Sequence, residues 1–439
     1  MLASAATATP PTPPRDRPIG RLAVLMVTAF IDMVGLLMIV PLLPFYAKSL
    51  GASGLMVGLL VSSYAVAQLI SAPYWGRLSD RHGRRPALLV GLTASAIAYV
   101  IFGYATSLWL LFLSRIVQGA GGGTVSVVQA YVADATKPED RARSLGLLSA
   151  ATNAGVAIGP VLGSLSLGVG GHAPGLAAAA LCLANILFAS RYLHESRDMV
   201  EARARPHAKG RSREAMLRVI THSGEPASRL IWIYALGMGA FQGVTAILAL
   251  FLAARFGVTA RTIGYFFMYI GVISVVTRAF VLGRAVDRFG EPRLSRLGAV
   301  LLALGLTIMP FTHRLANPHA VASLFGGLLP PGLVELIPYI PLAIAVALVP
   351  LGTAFTFPCV TAMLSRVTPD HERGLYMGVQ QTFGGMARVI FPVLAGWMFD
   401  RVIELPFLVS AALAAATIFL GLGMEQYVKP RAPEVVIRS

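Results

Sequence analysis

The chain has 439 residues, of which 56% are hydrophobic and only 13% are charged, and its mean hydropathy is +0.71. Soluble domains carry about 25% charged residues, so this composition excludes a soluble enzyme and indicates an integral membrane protein. The net charge of +16 comes from basic residues that cluster in alternate loops. That pattern follows the positive-inside rule and lacks the continuous basic face that nucleic-acid binding requires.

Residues 1–18 are rich in Ala, Thr and Pro and are expected to form a disordered cytoplasmic tail. Twelve apolar segments follow, each near the length of about 20 residues that crosses a bilayer. The first six are predicted at residues 21–47, 55–75, 87–105, 108–134, 144–169 and 174–193. The second six are predicted at residues 229–254, 262–283, 294–312, 338–365, 373–399 and 404–425.

The predicted fold is therefore an all-α membrane protein with twelve transmembrane helices in two six-helix bundles related by duplication. The bundles are placed at residues 19–193 and 229–426, with a polar, basic cytoplasmic linker at 194–228 and a cytoplasmic tail at 427–439. Of the 36 Lys and Arg residues, five fall in outer loops and three within spans if both termini are cytoplasmic, which leaves 28 on the cytoplasmic side. The positive-inside rule favours that orientation.

A short basic turn separates the second and third spans. It runs from Gly76 to Arg85 and contains four arginines and a single acid, Asp80. A weaker copy begins 207 residues later at Gly283 and has Asp287 in the place of that acid. A basic turn that recurs in both halves is typical of a transporter built by duplication.

Two charged residues of the first half are predicted to lie inside the membrane. Asp32 is about eleven residues into the first span, and Arg115 is about seven residues, or ~10 Å, from the outer end of the fourth. An arginine at such depth costs at least ~2.5 kcal/mol unless it meets an acid, a carbonyl or water. An acid near the midplane suits a group that loads and releases a proton; a structural hydrogen bond for Asp32 and snorkelling for Arg115 are the alternatives.

With these motifs the chain resembles the twelve-helix drug:proton antiporter branch of the major facilitator superfamily, to which tetracycline and multidrug exporters belong. The basic turn matches the family loop G-x-L-x-D-R-x-G-R-R throughout. The first span carries G-x5-P-x2-P from Gly35, the fourth carries R-x-x-Q-G-x-G from Arg115, and the fifth carries G-x8-G-x3-G-P-x2-G from Gly146. The resemblance implies a central cavity between the bundles and transport by alternating access.

The resemblance implies that the basic turn is a conformational gate. Asp80 and Arg84 would form part of a charge latch between the two bundles on the cytoplasmic side. An ordinary positive-inside loop is the alternative. The residues assigned to the gate are Gly76, Asp80, Arg81, Gly83, Arg84, Arg85 and Asp287.

The glycine motif of the fifth span is associated in this family with exporters, although generic helix packing also explains small residues. The residues assigned to this packing are Gly146, Gly155, Gly159, Pro160 and Gly163. Where the family usually has a further glycine, this chain has Ser164.

The resemblance also implies that Arg115, through the fourth-span motif, and Asp32 take part in proton coupling. Tetracycline exporters carry an Asp at the place that matches Asp32. Those exporters have a second acid in the third span, thirteen residues after the proline that follows their Arg-Arg. In this chain that position is Tyr99, with no acid beside it. The departure weighs against tetracycline itself as the substrate and does not affect the antiporter class.

Four further residues are candidates to line the substrate cavity: Gln118, Gln242, Gln381 and Arg388. For Arg388, deep in the eleventh span, an anion or substrate contact and a satisfied packing arginine are equally compatible with the sequence. Arg278 receives no site, because it lies five residues from Gly283 and can snorkel to the membrane surface.

The predicted function is proton-coupled antiport that exports small amphiphilic molecules or drugs, by a monomer in a bacterial inner membrane. One alternative is a proton symporter or facilitator that imports a small polar or anionic metabolite. Another is a transport-inactive receptor or scaffold. No enzyme activity, cofactor, metal site or nucleic-acid partner is expected, because the eight histidines fall in or beside loops and no G-x4-G-K-[ST] phosphate loop is present.

Overall fold

The computed structural model describes residues 18–136, 140–195, 211–315 and 339–428. Within these ranges every regular element is helical. Ten helical segments are long and apolar enough to span a membrane, and two shorter apolar helices, Leu108–Ala120 and Leu405–Leu420, occupy the predicted fourth and twelfth spans. The all-α class is thereby confirmed, whereas most of both predicted tails lies outside the described residues.

The first half builds six spans from eight helices. The first span combines α1 and α2, the fourth combines α5 and α6, and the others are single helices. A shared buried core, which includes Leu25, Met38, Leu92 and Phe102, holds these helices together. The helices are α1 Pro18–Ile39, α2 Leu43–Ser49, α3 Gly54–His82, α4 Arg84–Gly103, α5 Leu108–Ala120, α6 Thr124–Ala135, α7 Arg141–Ser166 and α8 Ala173–Tyr192.

The second half also contributes six spans, but its seventh and tenth spans are single unbroken helices. Its eighth span contains a π-helical turn, Thr277–Val281, between α11 and α12. The helices are α9 Arg211–Thr221, α10 Pro226–Phe256, α11 Ile263–Val276, α12 Leu282–Phe289, α13 Glu291–Ile308, α14 Thr312–Leu315, α15 Ile340–Val367, α16 Arg373–Arg401 and α17 Leu405–Leu420.

The helix α9 falls in the segment that the sequence assigned to the linker. Its apolar residue Val219 is fully buried against the second bundle, and the indole of Trp232 donates a hydrogen bond to the Val219 carbonyl at 3.3 Å. The sequence did not predict this helix, because the segment as a whole is as polar as a solvent-exposed loop. Only a narrow apolar stripe along the helix packs against the bundle.

The break in the fourth span, at residues 121–123, is held by three side chains of α3. Gln68, Ser71 and Trp75 donate hydrogen bonds of 3.1, 3.3 and 2.5 Å to main-chain carbonyls at the break. A Cβ at Gly123 would lie 2.2 Å from the Trp75 ring, so only glycine fits there. In a membrane, carbonyls freed by a helix break must find such partners, which explains why the break is tolerated.

The most extensive contacts between the two bundles are made by two helix pairs, α3 with α16 and α7 with α11. A Cβ at Gly58 would lie 2.2 Å from the Pro392 carbonyl, and one at Gly264 would lie 2.4 Å from the Pro160 carbonyl. These contacts lie at the helix ends remote from the Gly76–Arg85 turn, and we call that end of the molecule the closed side.

The opposite end, which carries the two basic turns, is the basic side. Glycines of the four contacting spans are open there, since an added Cβ would meet no described atom within 4 Å. They are Gly76, Gly146, Gly283, Gly374 and Gly378. Because glycines on the closed side are tightly packed and those on the basic side are not, the bundles enclose a cavity that opens toward the basic side.

Candidate functional site

The space between the bundles has two connected parts. The deep cavity has a volume of about 430 Å³ and is lined by α1, α7, α10, α11 and α15. The vestibule has a volume of about 800 Å³ and reaches toward Gly146 and Leu282 on the basic side. Asn153, Met238, Arg278 and Phe357 line both parts. A largely apolar space of this size with a few polar groups is typical of a small-molecule site.

Asp32 lies beside the break in the fourth span, within the first bundle. Thr124, the first residue of α6, donates a hydrogen bond to Asp32 Oδ2 at 3.1 Å. The side chain of Asp32 is half-buried. The phenols of Tyr64 and Tyr99 lie close enough to interact electrostatically with its carboxylate. The break therefore positions a hydroxyl donor next to a carboxylate in the membrane.

Arg115 lies in the same polar cluster but does not form an ion pair with Asp32. It is 2% exposed, and its guanidinium carbon lies 5.7 Å from the centre of the Tyr64 ring. Its Nε and Nη2 have no hydrogen-bond partner among the described residues. The aromatic face offsets part of the cost of burying this charge, and the guanidinium keeps capacity for another partner.

Gln118 and Tyr99 connect the cluster within the first bundle. Gln118 Nε2 donates to the Tyr99 hydroxyl at 2.9 Å, and both side chains are buried. The Tyr99 ring lies close to Gly35, where an added Cβ would be 3.3 Å from it. The phenol at the position of the second acid is thus a fixed, hydrogen-bonded element of the core.

The remaining cavity candidates are distributed differently. Gln242 lines the deep cavity. Arg388 is half-buried, donates from Nε to the Gly384 carbonyl at 3.3 Å, and is an electrostatic neighbour of Tyr64. Gln381 is exposed on α16, whereas Gln380 beside it is buried.

The basic turn is closed by a carboxylate that the sequence analysis did not single out. Gly83 has φ +102°, a conformation that favours glycine, and a Cβ there would lie 2.4 Å from Glu195 Oε2. The two carboxylate oxygens of Glu195 accept hydrogen bonds from the main-chain amides of Arg84 and Arg85 at 2.9 and 3.0 Å. A carboxylate at a helix N-terminus satisfies free amides and complements the helix dipole.

Arg84 joins two acids of the first bundle. Its guanidinium lies 3.1 Å from Asp80 Oδ1 and 2.9 Å from Asp134 Oδ2, and it donates to the Ser79 hydroxyl at 2.6 Å. Asp134 is at the end of the fourth span. In this state, with the basic side open, these contacts tie the turn to its own bundle.

The second bundle contains the same connection with its charges exchanged. Glu291 follows Gly290, whose φ is +74°, as Arg84 follows Gly83. Arg366 lies at the end of the tenth span and donates two hydrogen bonds to the Glu291 carboxylate, at 3.2 and 2.5 Å. Asp287 of this turn is exposed. The duplicated halves thus keep an ion pair between equivalent helices with opposite polarity.

On the closed side, the side chains of Asp400 and Ser164 make hydrogen bonds between the bundles. Asp400, near the end of α16, accepts hydrogen bonds from the amides of Gly54 and Leu55 at 2.6 and 2.8 Å. Ser164 donates to the Ala260 carbonyl and accepts from the Gly264 amide, both at 3.0 Å. Serine in place of the family glycine therefore contributes to closure.

Three glycines of the fifth-span motif pack against α1 in their own bundle. An added Cβ at Gly155, Gly159 or Gly163 would lie 2.2 to 2.7 Å from main-chain oxygens of that helix. Pro160 faces the second bundle through its contact with Gly264. Gly146 takes no part in this packing and instead lines the vestibule.

Several residues of the site were not predicted from the sequence. Asn153 is a polar residue on an apolar span between two motif glycines, which is a signal that could have been used. Glu195, Asp134 and Asp400 sit at span ends, where acids are common, so only the structure reveals their partners.

Two helical bundles around a cavity that opens to one side are the architecture of a membrane transporter. The sequence profile of the Major Facilitator Superfamily matches residues 25–329 and 320–436, and the chain belongs to this family. It is 35% identical to the tetracycline resistance protein, class C, of Escherichia coli, over 85% of this chain and 88% of that protein. It is 27% identical to multidrug resistance protein 2 of Bacillus subtilis, over 91% and 93% of the two chains.

Solved structures support the same fold. The nucleoside transporter NupG superposes with a TM-score of 0.70 at 14% identity, covering 93% of this chain and 99% of that one. The human organic anion transporter MFSD10 gives a TM-score of 0.60 at 23% identity, over 93% of this chain and 100% of that one. The chain is thus a multi-pass transporter of small molecules and not an enzyme.

Proposed function

We propose that this protein is a proton-coupled antiporter that exports small amphiphilic molecules, drugs among them, across a bacterial inner membrane. The observation that carries the proposal is Asp32, a carboxylate inside the membrane that shares a polar cluster with Arg115. Membrane carboxylates are costly and mark proton or ion pathways. Relatives named for tetracycline and multidrug resistance support the direction and the kind of cargo.

The basic side is assigned to the cytoplasm. The placement of 28 of the 36 basic residues on that side supports this orientation, with both termini cytoplasmic. The cavity then faces inward, and the contacts of Asp400 and Ser164 form the closed outer gate.

The proposed cycle couples Asp32 to that gate. Asp32 takes a proton from the outside, the cavity turns inward, and substrate binding favours release of the proton to the cytoplasm. The loaded cavity then turns outward, with the Asp80 turn closing the inner gate. Each net charge moved inward per cycle adds ~2.3 kcal/mol of driving force per 100 mV.

Proton movement in inside-out vesicles tests this function. A pH-sensitive dye reports the gradient while cationic, neutral and anionic compounds, tetracycline included, are added to native protein and to Asp32→Asn. Asp370→Asn is the matched control, because this aspartate is 89% exposed. Substrate-triggered collapse of the gradient in native protein and control, lost in Asp32→Asn, is expected. No collapse with any compound, with the protein inserted, would refute proton-coupled export.

A further inference from the structure

The cavity contains one charged side chain to which the transport cycle assigns no role. From the sequence, the side chain of Arg278 is expected to reach the membrane surface. The structure places it on the cavity wall instead, where it lines both the deep cavity and the vestibule. Among the described residues that line these two spaces, Arg278 alone carries a formal charge. The wall of the cavity is therefore positive.

Its backbone position is unusual. Arg278 is the second residue of the π-helical turn Thr277–Val281, which interrupts an otherwise α-helical span. A π-helical turn accommodates an extra residue and so changes the direction of the side chains around it. Such turns are rare and occur frequently at functional sites.

The protein leaves much of the guanidinium without a partner. Arg278 Nη1 donates a long hydrogen bond of 3.5 Å to Asn153 Oδ1. The guanidinium also interacts electrostatically with the nearby phenol of Tyr234. Asn153 Nδ2 donates to the Ser149 carbonyl at 2.7 Å, which turns its oxygen toward the arginine. The Nε atom of Arg278 is buried and has no hydrogen-bond partner among the described residues. A guanidinium has five N–H donors, so this one retains capacity for an acceptor with two oxygens.

The space beside this group is apolar. Phe241, Phe267 and Phe357 line the deep cavity, whose volume of about 430 Å³ suits a small organic molecule. A ligand that filled it would place an apolar body against these rings while one polar end reached Arg278.

We propose that Arg278, together with Asn153, binds an acidic group of the transported molecule, so that the preferred substrates are amphiphilic anions. This inference rests on the proposed function, because it takes the cavity as the path of the cargo. A carboxylate matches the planar fork of arginine in a bidentate contact, whereas a cation would meet an uncompensated positive wall. Asn153 belongs to the first bundle and Arg278 to the second, so the bound group lies between the two moving parts.

Equilibrium binding to the purified full chain in lipid nanodiscs tests the assignment. Three probes share a naphthalene ring and differ in charge: 2-naphthylacetate, 2-naphthylacetamide and 2-naphthylethylammonium. We expect native protein to bind the acetate at least about tenfold tighter than the amide, and the ammonium more weakly than both. In Arg278→Gln the ratio of acetate to amide affinity falls by about tenfold, and Arg278→Lys retains part of it. The ratio is the readout because a shift between inward and outward states changes both affinities together.

Two further variants locate the effect. Arg261→Gln removes the same charge from an exposed loop and leaves the ratio unchanged. If Arg388→Gln abolishes the preference while Arg278→Gln keeps it, the assignment to Arg278 is overturned. Equal affinity of native protein for the acetate and the amide, or no binding of the acetate, overturns the anion preference itself. Those results would leave proton-coupled export standing, because vesicle assays with cationic and neutral compounds test it separately.

Discussion

Removal of one carboxylate should open the outer gate. Asp400 of the second bundle accepts hydrogen bonds from the amides of Gly54 and Leu55, the first residues of α3 in the first bundle. Because this contact joins the two bundles, it forms only in the state in which the bundles meet on the closed side. Asp400→Ala deletes both acceptors and leaves two amides at the helix N-terminus to water. The substitution therefore destabilises the inward-facing state relative to the outward-facing one.

The size of the effect follows from the geometry. Replacing a capping carboxylate by alanine typically costs about 0.5–2 kcal/mol. The two bonds here are short, at 2.6 and 2.8 Å, but the pair lies near the surface, so a cost of about 1–2 kcal/mol is expected. This corresponds to a shift of about 5- to 30-fold in the ratio of outward-facing to inward-facing molecules.

Distances between spin labels on the closed side measure that ratio. Labels at Thr106 and Arg261 sit in exposed loops of the first and second bundles, and both native cysteines, Cys182 and Cys359, are buried. The longer, outward-facing distance should gain population in Asp400→Ala and gain less in Asp400→Asn, which keeps one acceptor. An unchanged distance distribution in Asp400→Ala would refute the role of this contact in holding the outer gate.

Three further changes have defined outcomes. Gly58→Ala places a methyl carbon 2.2 Å from a carbonyl of α16 and should displace the same spin-label distribution further outward, whereas Gly146→Ala, with open space around it, should not. Glu291→Arg or Arg366→Glu alone should lower thermal stability. The double variant with exchanged charges should be more stable than the sum of the two single effects, by a coupling energy of about 0.5–3 kcal/mol. Strictly additive effects of the two substitutions would contradict an ion pair. Tyr99→Phe removes the hydroxyl that binds a buried glutamine amide and should cost about 1–3 kcal/mol of stability in a denaturant titration, and a neutral result would show that this amide finds another partner.

The sequence specified the helical spans well because the membrane imposes a simple physical rule. A segment of about 20 apolar residues is nearly sufficient evidence of a span, and each predicted span coincides with one or two helices of the structure. The turn glycines were also predictable, since a tight reversal between helices requires φ values that Gly83 and Gly290 adopt.

The site was predicted only in part. Asp32 and Arg115 were found because a charge in an apolar segment stands out, but their separation in this state depends on how the broken fourth span packs on α3. The position of Arg278 on the cavity wall was not predicted, since its distance from the span end allowed snorkelling and a π-helical turn has no reliable sequence signal. The partners of Asp400 and Glu195 are separated from them by more than a hundred residues, and only tertiary contacts bring them together.

Transport by purified protein in liposomes tests the central claim most directly. With the lumen more acidic than the bath, an antiporter accumulates its substrate in the lumen as protons leave, and a symporter does so only when the gradient is reversed. We predict accumulation driven by the acidic lumen in native protein. In Asp32→Asn this accumulation should be lost, while exchange of labelled for unlabelled substrate continues without a gradient. Accumulation that requires an acidic bath, or that persists in Asp32→Asn, would contradict proton antiport through this residue.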